Sequence, residues 1–139
     1  MNDNEILDIL KLVIDKIKGK QFLWRVEGSA NLRILGVDVV PNDFDITTSK
    51  EGVKIFREVL KEFIVKEVRQ GDWLVLKLLG SEVDIHSYND AKFEMLDKIK
   101  KIKWRGIEVP ILPLPYAKKF YELINRQEKV EIIEKHLKK

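Results

Sequence analysis

The sequence predicts an α/β (α+β) fold in which a mixed, twisted sheet carries helices mainly on one face. Three observations predict it. Helical and strand-like segments alternate in the first half of the chain, several strand-like segments come one after another over residues 64–86, and two helical segments come last. A chain of 139 residues can bury one sizeable core and not two, so we expect one domain spanning 1–139.

The individual elements are predicted from apolar spacing and from the residues that punctuate the chain. Apolar residues from Ile6 to Ile17 recur at helical spacing, and Gly19 can end that helix in the left-handed conformation. Thr48 and Glu51 form the pattern of a capping box before a further amphipathic helix. The predicted elements are, in order, a helix over 4–18, a strand over 22–27, a short helix over 30–35, a strand over 44–47, a helix after 48, strands over 64–69, 73–79 and 82–86, a helix over 91–100, a small hairpin over 102–109, and helices over 116–125 and 127–137.

Composition excludes several classes of protein. The chain has no cysteine and two histidines, which excludes a disulfide scaffold and a thiolate metal site and argues against a histidine-rich zinc centre. No apolar run has the length of a transmembrane helix, and the acidic N-terminus does not fit a signal peptide. We therefore expect a cytoplasmic protein. Its richness in Lys, Glu and Ile, with few glutamines, indicates a thermophile as the source.

Charge is distributed unevenly along the sequence. Lys and Arg number 26 against 23 Asp and Glu, a net charge of +3. Four acidic residues and one arginine lie between Glu27 and Asp45, whereas six basic and two acidic residues lie between Lys92 and Arg105. An acidic locus beside a basic flank is typical of a metal-dependent site for a phosphate-bearing ligand, and solvated helix faces are the alternative explanation.

Gly28-Ser29 lies at a predicted strand-to-helix junction. Glycine lets the backbone approach a phosphate closely, and the serine hydroxyl with the helix N-terminus offers donors to an anion. Most Gly-Ser turns are only turns, so this pair is informative only in combination with the acidic motifs further along the chain.

Asp43-Phe44-Asp45-Ile46 alternates acidic and apolar residues. On a strand, residues i and i+2 point to the same face, so the two carboxylates would lie side by side while Phe44 and Ile46 enter the core. Adjacent carboxylates repel each other, and a cation between them relieves the repulsion; oxygen ligands of this kind suit Mg²⁺. A solvent-facing aspartate pair at the start of a strand is the alternative.

Asp84 lies between Val83 and Ile85 in a predicted interior strand. A carboxylate in such a place needs a hydrogen-bonding partner or a metal. The alternative is that Asp84 lies, together with His86, on the exposed face of an edge strand. Three carboxylates on neighbouring strands can form a two-metal site for in-line phosphoryl transfer.

Together these motifs resemble the nucleotidyltransferase superfamily typified by DNA polymerase beta. Its pattern is Gly-Gly or Gly-Ser, a spacer, and then Asp-hydrophobic-Asp/Glu-hydrophobic; here thirteen residues separate Ser29 from Asp43. This long spacer is similar to that of the aminoglycoside and lincosamide nucleotidyltransferases, and less similar to the shorter one of the minimal, antitoxin-type members. The resemblance covers residues 20–137.

The resemblance implies a nucleotidyltransferase fold and a role for each motif. Asp43 and Asp45 match the ligands that hold two Mg²⁺ ions, with Mn²⁺ as the alternative ion, and Asp84 matches the third carboxylate, which binds the catalytic metal. Gly28 and Ser29 match the turn that contacts the β- and γ-phosphates. The implied reaction transfers a nucleoside monophosphate from an NTP, which we expect to be ATP, to a hydroxyl and releases pyrophosphate.

The C-terminal part departs from the family pattern. Related enzymes often carry a Lys on one helix and Arg-x-Lys-Asp at the start of the next. Lys118 or Lys119, Arg126 and Lys129 are the nearest equivalents here, and the Asp is missing. Lys119, Arg126 and Lys129 are candidates for triphosphate contacts, with solvated helix charges as the alternative.

Other residues near the motifs are weaker candidates. Arg25 and Arg33 are close enough in the sequence to reach a phosphate. We expect four aromatic residues to pack in the core, namely Trp73, Tyr116, Phe120 and Tyr121, and the alternative for Tyr116 or Tyr121 is stacking on a nucleobase.

Three functional hypotheses remain open. The first is an active nucleotidyltransferase acting on a small molecule or a protein. The short chain is expected to lack the acceptor-binding domain of the drug-modifying enzymes, so the acceptor would be bound in trans or across a homodimer. The second is a nucleotide- or partner-binding module, antitoxin-like or catalytically silent. The third, not favoured, is a nucleic-acid-binding domain that uses the basic segment from Lys92 to Arg105. No membrane partner is expected.

Overall fold

The computed structural model describes residues 1–139 and contains six α-helices and seven β-strands. Their bounds are α1 Asp3–Lys16, β1 Trp24–Glu27, α2 Gly28–Ile34, β2 Phe44–Thr48, α3 Lys50–Val59, β3 Ile64–Val68, β4 Trp73–Leu78, β5 Ser81–His86, α4 Ala91–Glu94, β6 Lys100–Trp104, β7 Ile107–Ile111, α5 Leu114–Leu123 and α6 Gln127–Leu137. Three short 3-10 helices cover Lys61–Phe63, Arg69–Gly71 and Leu96–Lys98. None of the helices combines the length and the apolar character that crossing a bilayer requires.

Five strands form a mixed sheet in the order β1-β2-β5-β4-β3. Strands β2 and β5 are parallel, and every other neighbouring pair is antiparallel. Strands β6 and β7 form a separate antiparallel ribbon, and β7 lies against β1. With the additional helix pair α5 and α6 at the C-terminus, this is the mixed α/β fold class that the sequence predicts.

One face of the five-stranded sheet is buried against α1 and α3. Apolar and polar residues alternate along the strands, so Phe44 and Ile46 of β2 and Val83 and Ile85 of β5 are completely buried. They share one hydrophobic cluster with residues of the two helices, namely Ile6, Ile9, Leu10 and Val13 of α1 and Val53 and Phe56 of α3. The alternation leaves the polar residues of β2 and β5 on the opposite face, where the candidate site lies.

A second hydrophobic cluster joins α2 to the two C-terminal helices. It contains Leu32, Val37, Met95, Leu112, Ala117, Phe120, Tyr121, Val130 and Ile133. This cluster holds α6 next to the Gly28-Ser29 turn at the start of α2.

The cap of α3 differs from the sequence-based expectation. The side chain of Ser49, not that of Thr48, accepts the hydrogen bond from the Gly52 backbone N–H. The Thr48 hydroxyl instead donates to the Leu23 carbonyl. The predicted capping box of Thr48 and Glu51 is therefore wrong by one residue, because Thr48 still belongs to strand β2.

The predicted helix over 91–100 is also wrong. Helix α4 ends at Glu94 because Met95 adopts a left-handed backbone conformation, with φ of 48°, and Lys100 already begins β6. The Met95 side chain is buried in the second hydrophobic cluster, and this burial outweighs the helical preference of its neighbours. In contrast, α6 has the predicted bounds, and the small hairpin after residue 100 is confirmed.

Asn31 ties α2 to the segment after β7. Its side chain is buried; Nδ2 donates to the Leu112 carbonyl and Oδ1 accepts from the Leu112 N–H, both at 2.9 Å. This pair of hydrogen bonds fixes the Gly-Ser turn relative to the C-terminal helices.

We expect Asn31→Ala to destabilise the protein by about 1–3 kcal/mol, because two buried backbone groups of Leu112 lose their partner. Chemical denaturation measures the loss. The matched control is Asn4→Ala, since Asn4 is exposed. Equal unfolding free energies of the two variants would contradict the structural role of Asn31.

Candidate functional site

Three aspartates converge where β2 and β5 run side by side in parallel. Asp45 of β2 lies in register with Asp84 of β5, and Asp43 immediately precedes β2. One carboxylate oxygen of each aspartate lies within 4.8 Å of the other two. The sequence predicted the two motif aspartates on one face and Phe44 in the core, and the structure has this arrangement.

Gly28 is the residue that packs directly against this cluster. Its φ is +71°, and a Cβ atom at this position would lie 2.8 Å from Oδ2 of Asp45. Any other residue would combine a strained backbone with a collision against a carboxylate. The Gly28-Ser29 turn and the aspartates therefore belong to one site.

A cavity of about 400 Å³ opens beside the aspartates. Its lining includes Gly28, Ser29, Asn42, Asp43 and Asp45 and, from the C-terminal part, Phe120, Tyr121, Ile124, Arg126 and Lys129. The Lys129 ammonium donates to Oγ of Ser29 at 2.6 Å, which links α6 to the Gly-Ser turn across 100 residues of sequence. The cavity thus has carboxylates on one side and cations on the other.

Of the three C-terminal cations predicted to contact phosphate, two line the cavity and one does not. Arg126 and Lys129 line the cavity, and Arg126 also pairs with Glu128. Lys119 is exposed on α5 and does not line the cavity, so its expected phosphate contact finds no support there. Burial, together with the nearby charge of Arg126, lowers the pKa of the Lys129 ammonium.

The two arginines near the motif do not reach the cavity. Arg25 is buried, and its guanidinium donates to the backbone carbonyls of Phe93 and Glu94. Arg33 forms a salt bridge with Asp3 at 3.0 Å. The expectation that either arginine contacts a phosphate is therefore wrong.

The aromatic candidates also have different positions. Tyr121 is buried and lines the cavity, whereas Tyr116 lies outside it beneath the Lys98 ammonium, 5.4 Å from the ring centroid. Trp73, expected in the core, is half-buried on the site's face of the sheet. Its indole Nε1 donates to Oδ1 of Asp84 at 2.9 Å.

Sequence reasoning missed Glu27 as a member of the site. This carboxylate ends β1 in register with Asp45, is 7% exposed and lines the cavity. It accepts hydrogen bonds from the hydroxyls of Thr47 at 2.6 Å and Tyr88 at 2.9 Å. The buried Arg25 guanidinium also lies 3.6 Å from Oε1 of Glu27, so the Glu27 charge is compensated within the protein. Its position directly before the Gly-Ser pair was the signal in the sequence.

His86 lies between two aromatic rings beside the aspartates. Its ring stacks on Trp73 at 5.0 Å and on Tyr88 at 5.8 Å between centroids, and Nε2 lies 3.9 Å from Oδ1 of Asp45. The sequence alone predicts that His86 shares a face with Asp84, because the two residues are i and i+2 on one strand. The stack itself depends on the pairing of β4 with β5, which no local pattern reveals.

Burial sets the charge state of the aspartates. It raises the pKa of Asp45 to about 6; His86 opposes this shift, and the charge of Asp43 adds to it. Burial likewise raises the pKa of Asp84 to about 7, with the hydrogen bond from Trp73 opposing the shift and the nearby Glu82 carboxyl adding to it. A cation would favour the charged forms, and three carboxylates with no nitrogen or sulfur ligand suit a hard divalent ion such as Mg²⁺.

Comparisons with solved structures find the same fold. A candidate nucleotidyltransferase from Thermotoga maritima, TM1012, matches with a TM-score of 0.79 and 26% sequence identity, covering 99% of this chain and 96% of that one. The antibiotic-resistance factor ANT(2'')-Ia matches with a TM-score of 0.70 and 12% identity over 99% and 86% of the two chains. The lincosamide antibiotic adenylyltransferase LnuA, solved with lincomycin, matches with a TM-score of 0.68 and 13% identity over 96% and 97%. A crystal structure of ANT(2'')-Ia with adenylyl-2''-tobramycin also matches, with a TM-score of 0.64 and 12% identity over 96% and 90%. No protein-family model matches the chain, and no curated protein matches its sequence.

The chain therefore has the nucleotidyltransferase fold of the DNA polymerase beta-like superfamily, as its motifs predicted. Its aspartate cluster is consistent with the divalent metal site typical of nucleotidyltransferases. The expectation of a missing acceptor-binding domain finds no support in these comparisons, because the match spans 97% of the lincosamide adenylyltransferase.

We expect Asp45 and Asp84 to make the metal-free protein less stable as the pH rises from about 4 to about 7. Both carboxyls have folded-state pKa values, about 6 and about 7, above the ordinary 3.8. Over this range the folded state binds more protons than the unfolded state, so stability falls with rising pH and levels off above both values. The effect amounts to about 1.4 kcal/mol for each pH unit that separates the two pKa values of a group.

Denaturant unfolding in EDTA measures the contribution of Asp84 to this effect as the difference between the wild type and Asp84→Asn, because the other carboxylates are common to both proteins. The wild type should lose stability relative to the variant between pH 4 and 7, and Mg²⁺ should reverse the loss at pH 7.5. A difference that does not change with pH would show that Asp84 is not perturbed.

We expect Gly28→Ala to destabilise the protein by about 1–2 kcal/mol more than Gly36→Ala, because the methyl group at residue 28 meets the Asp45 carboxylate. Gly36 is the matched control, since its φ is +91° and no atom lies within 4 Å of a Cβ placed there. Both variants carry the backbone strain, and only one carries the collision. Equal unfolding free energies would contradict the close approach.

Proposed function

We propose that this protein is a Mg²⁺-dependent nucleotidyltransferase that transfers a nucleoside monophosphate from an NTP to a hydroxyl of a small molecule or protein, with release of pyrophosphate. The observation that carries the proposal is the convergence of Asp43, Asp45 and Asp84 within 4.8 Å, beside a cavity that Asp43, Asp45 and Lys129 line. Carboxylates for a metal opposite a cation for phosphate are what phosphoryl transfer from a nucleotide requires. The adenylylated product in the ANT(2'')-Ia complex supports ATP as the NTP.

The phosphates of the NTP would lie against the Gly28-Ser29 turn. The Ser29 hydroxyl and the Lys129 ammonium hydrogen-bond each other at 2.6 Å, so both groups are directed at the same point of the cavity. A phosphate oxygen that enters there could accept from both groups, and its charge would favour the protonated form of Lys129. Arg126, half-exposed where it lines the cavity, would add a further positive charge.

The aspartates would hold the Mg²⁺ ions, which would offset the charge that develops on the transferring phosphoryl group. The protein supplies their placement: Asp45 and Asp84 are held by strand register, and the Trp73 indole fixes Oδ1 of Asp84. Because the indole occupies Oδ1, the other oxygen of Asp84, Oδ2, is the atom we propose to accept the proton of the attacking hydroxyl.

The nucleic-acid hypothesis receives less support. The segment from Lys92 to Arg105 does not form one helix face, because α4 ends at Glu94. Three of its six bases are paired with acids within 4.0 Å, namely Lys98 with Asp97, Lys101 with Glu108 and Arg105 with Asp3.

We expect NTP binding that requires Mg²⁺ and is lost in Asp45→Asn, because the variant lacks a central carboxylate of the cluster. Calorimetric titration of each of the four NTPs, with and without Mg²⁺, measures this. Asp97→Asn is the matched control, since Asp97 is an exposed aspartate remote from the cavity. Thermal unfolding without metal should show Asp45→Asn to be at least as stable as the wild type, because the carboxylate repulsion is reduced.

Mg²⁺-independent binding that survives in Asp45→Asn would place the nucleotide elsewhere and overturn the proposed site. Mg²⁺-dependent binding without incorporation from labelled NTP into any acceptor would favour a nucleotide-binding module over an enzyme.

A further inference from the structure

We propose that the acceptor of the transfer is a hydroxyl compound that carries an oxyanion group, and that Arg69 binds this group on the open sheet face beside Asp84. This inference rests on the proposed function and specifies its second substrate. The compounds bound in the similar solved structures are lincomycin and adenylyl-2''-tobramycin.

The direction of attack decides where the acceptor must lie. In-line displacement places the attacking hydroxyl opposite the leaving pyrophosphate. The pyrophosphate would leave toward Ser29 and Lys129, next to the end of β1. Because the sheet order is β1-β2-β5-β4-β3, the side opposite β1 is the part of the sheet face beyond Asp84, on β4 and β3.

The strand register shows which side chains this part of the face presents. One row across the sheet joins Lys66, Val75 and Asp84, and the next joins Val68, Trp73 and His86. Lys66 is exposed and Trp73 is half-buried, so a ligand can reach this surface. The surface is continuous with the aspartates through the hydrogen bond from Trp73 to Asp84.

Arg69 lies at the edge of this surface without an acidic partner. Its guanidinium carbon lies 5.4 Å from the Trp73 ring centroid and 5.9 Å from that of Tyr88, and one NH2 group lies 3.2 Å from Nδ1 of His86. No carboxylate oxygen lies within 4.0 Å of its nitrogens. A planar guanidinium supported by aromatic rings, with donors left over, is suited to a bidentate contact with phosphate or carboxylate. The imidazole ring of His86 lies between the Arg69 guanidinium and the Asp45 carboxylate.

The backbone that carries Arg69 is fixed in an unfavourable conformation. Arg69, Gln70 and Gly71 have φ values of 50°, 57° and 89°, three left-handed residues in succession. Arg57 holds this turn by donating to the Gly71 carbonyl at 2.6 Å. Strained non-glycine residues persist where the surroundings hold them, and they cluster at ligand sites. The guanidinium is therefore presented before any ligand binds.

The charge around Asp84 favours an anion over a polyamine. Arg69, Lys66 and Lys77 are exposed here without an acidic partner within 4.0 Å, and Glu82, which lies opposite Lys77, is the one exposed acid of β4 and β5. With the aspartate charges offset by bound cations, the surface that remains is positive. Such a surface attracts an anionic hydroxyl compound and repels an amine-rich drug such as tobramycin.

The test uses the whole protein with Mg²⁺ and a non-hydrolysable ATP analogue. Glucose 6-phosphate, glucuronate, glucose and tobramycin are titrated separately, and binding is followed by NMR signals of the protein. We expect both anionic probes to bind about tenfold or more tightly than glucose and tobramycin, and the difference between them to tell phosphate from carboxylate. Arg69→Gln should remove this preference, and Arg69→Lys should restore it in part, because the charge returns without the planar fork.

Lys61→Gln is the matched control, since it removes one exposed positive charge outside this surface and should leave the preference unchanged. Anionic probes that bind no better than glucose, or equally well to Arg69→Gln, overturn the inference. Binding of the ATP analogue is measured in the same samples. If the analogue binds and the anionic probes do not, this inference alone fails; if the analogue does not bind, the proposed function fails as well.

Discussion

The register between the parallel strands β2 and β5 is the constraint on which the site depends. It places Asp45 directly opposite Asp84, so that two largely buried carboxyls approach each other before any ligand is present. The register is held from the other face of the sheet, where Phe44, Ile46 and Val83 are completely buried. A slip of one residue would exchange the two faces of a strand and put an aspartate into the core. The apolar core thus fixes the position of the polar site.

The remaining parts of the site arrange charge around that pair. Glu27, one strand further along, accepts hydrogen bonds from Thr47 and Tyr88 and forms a buried ion pair with Arg25, so its charge is compensated within the protein. The aspartates have the hydrogen bond from Trp73 to Asp84 but no arginine or lysine within 4.0 Å, and burial raises the pKa values of Asp45 and Asp84. A buried hydrogen-bonded carboxylate is rigid and inert, whereas an uncompensated cluster favours cation binding. This contrast distinguishes Glu27, in the wall of the cavity, from the aspartates of the candidate metal site.

The parts of the molecule that could be predicted from the sequence are those that depend on local pattern. The alternation in residues 43–46 was sufficient to place two carboxylates together, and Gly28 could be singled out by its type and position. Contacts that depend on distant pairing could not be predicted. Arg25 is a cation next to a motif in the sequence, but it is buried in the structure, where it donates to backbone carbonyls of α4. Likewise, only the packing of α6 against α2 distinguishes Lys129 from Lys119.

The two sides of the aspartate cluster differ in packing: one side is tightly packed, and the other consists of exposed side chains. On the side of the Gly28-Ser29 turn, a Cβ atom at Gly28 would collide with Asp45, Asn31 is bonded to the Leu112 backbone, and the second hydrophobic cluster packs α6 against α2. Most changes there would therefore disturb packing. On the side of β3 and β4, the exposed residues Lys66 and Arg69 lie on an edge strand and a turn, where substitutions usually alter stability little. In the proposed reaction, the chemistry of transfer is thereby tied to the fold, while recognition of the proposed acceptor is free to vary with a few surface side chains. A fold shared with drug-modifying enzymes therefore constrains the reaction more strongly than it constrains the second substrate.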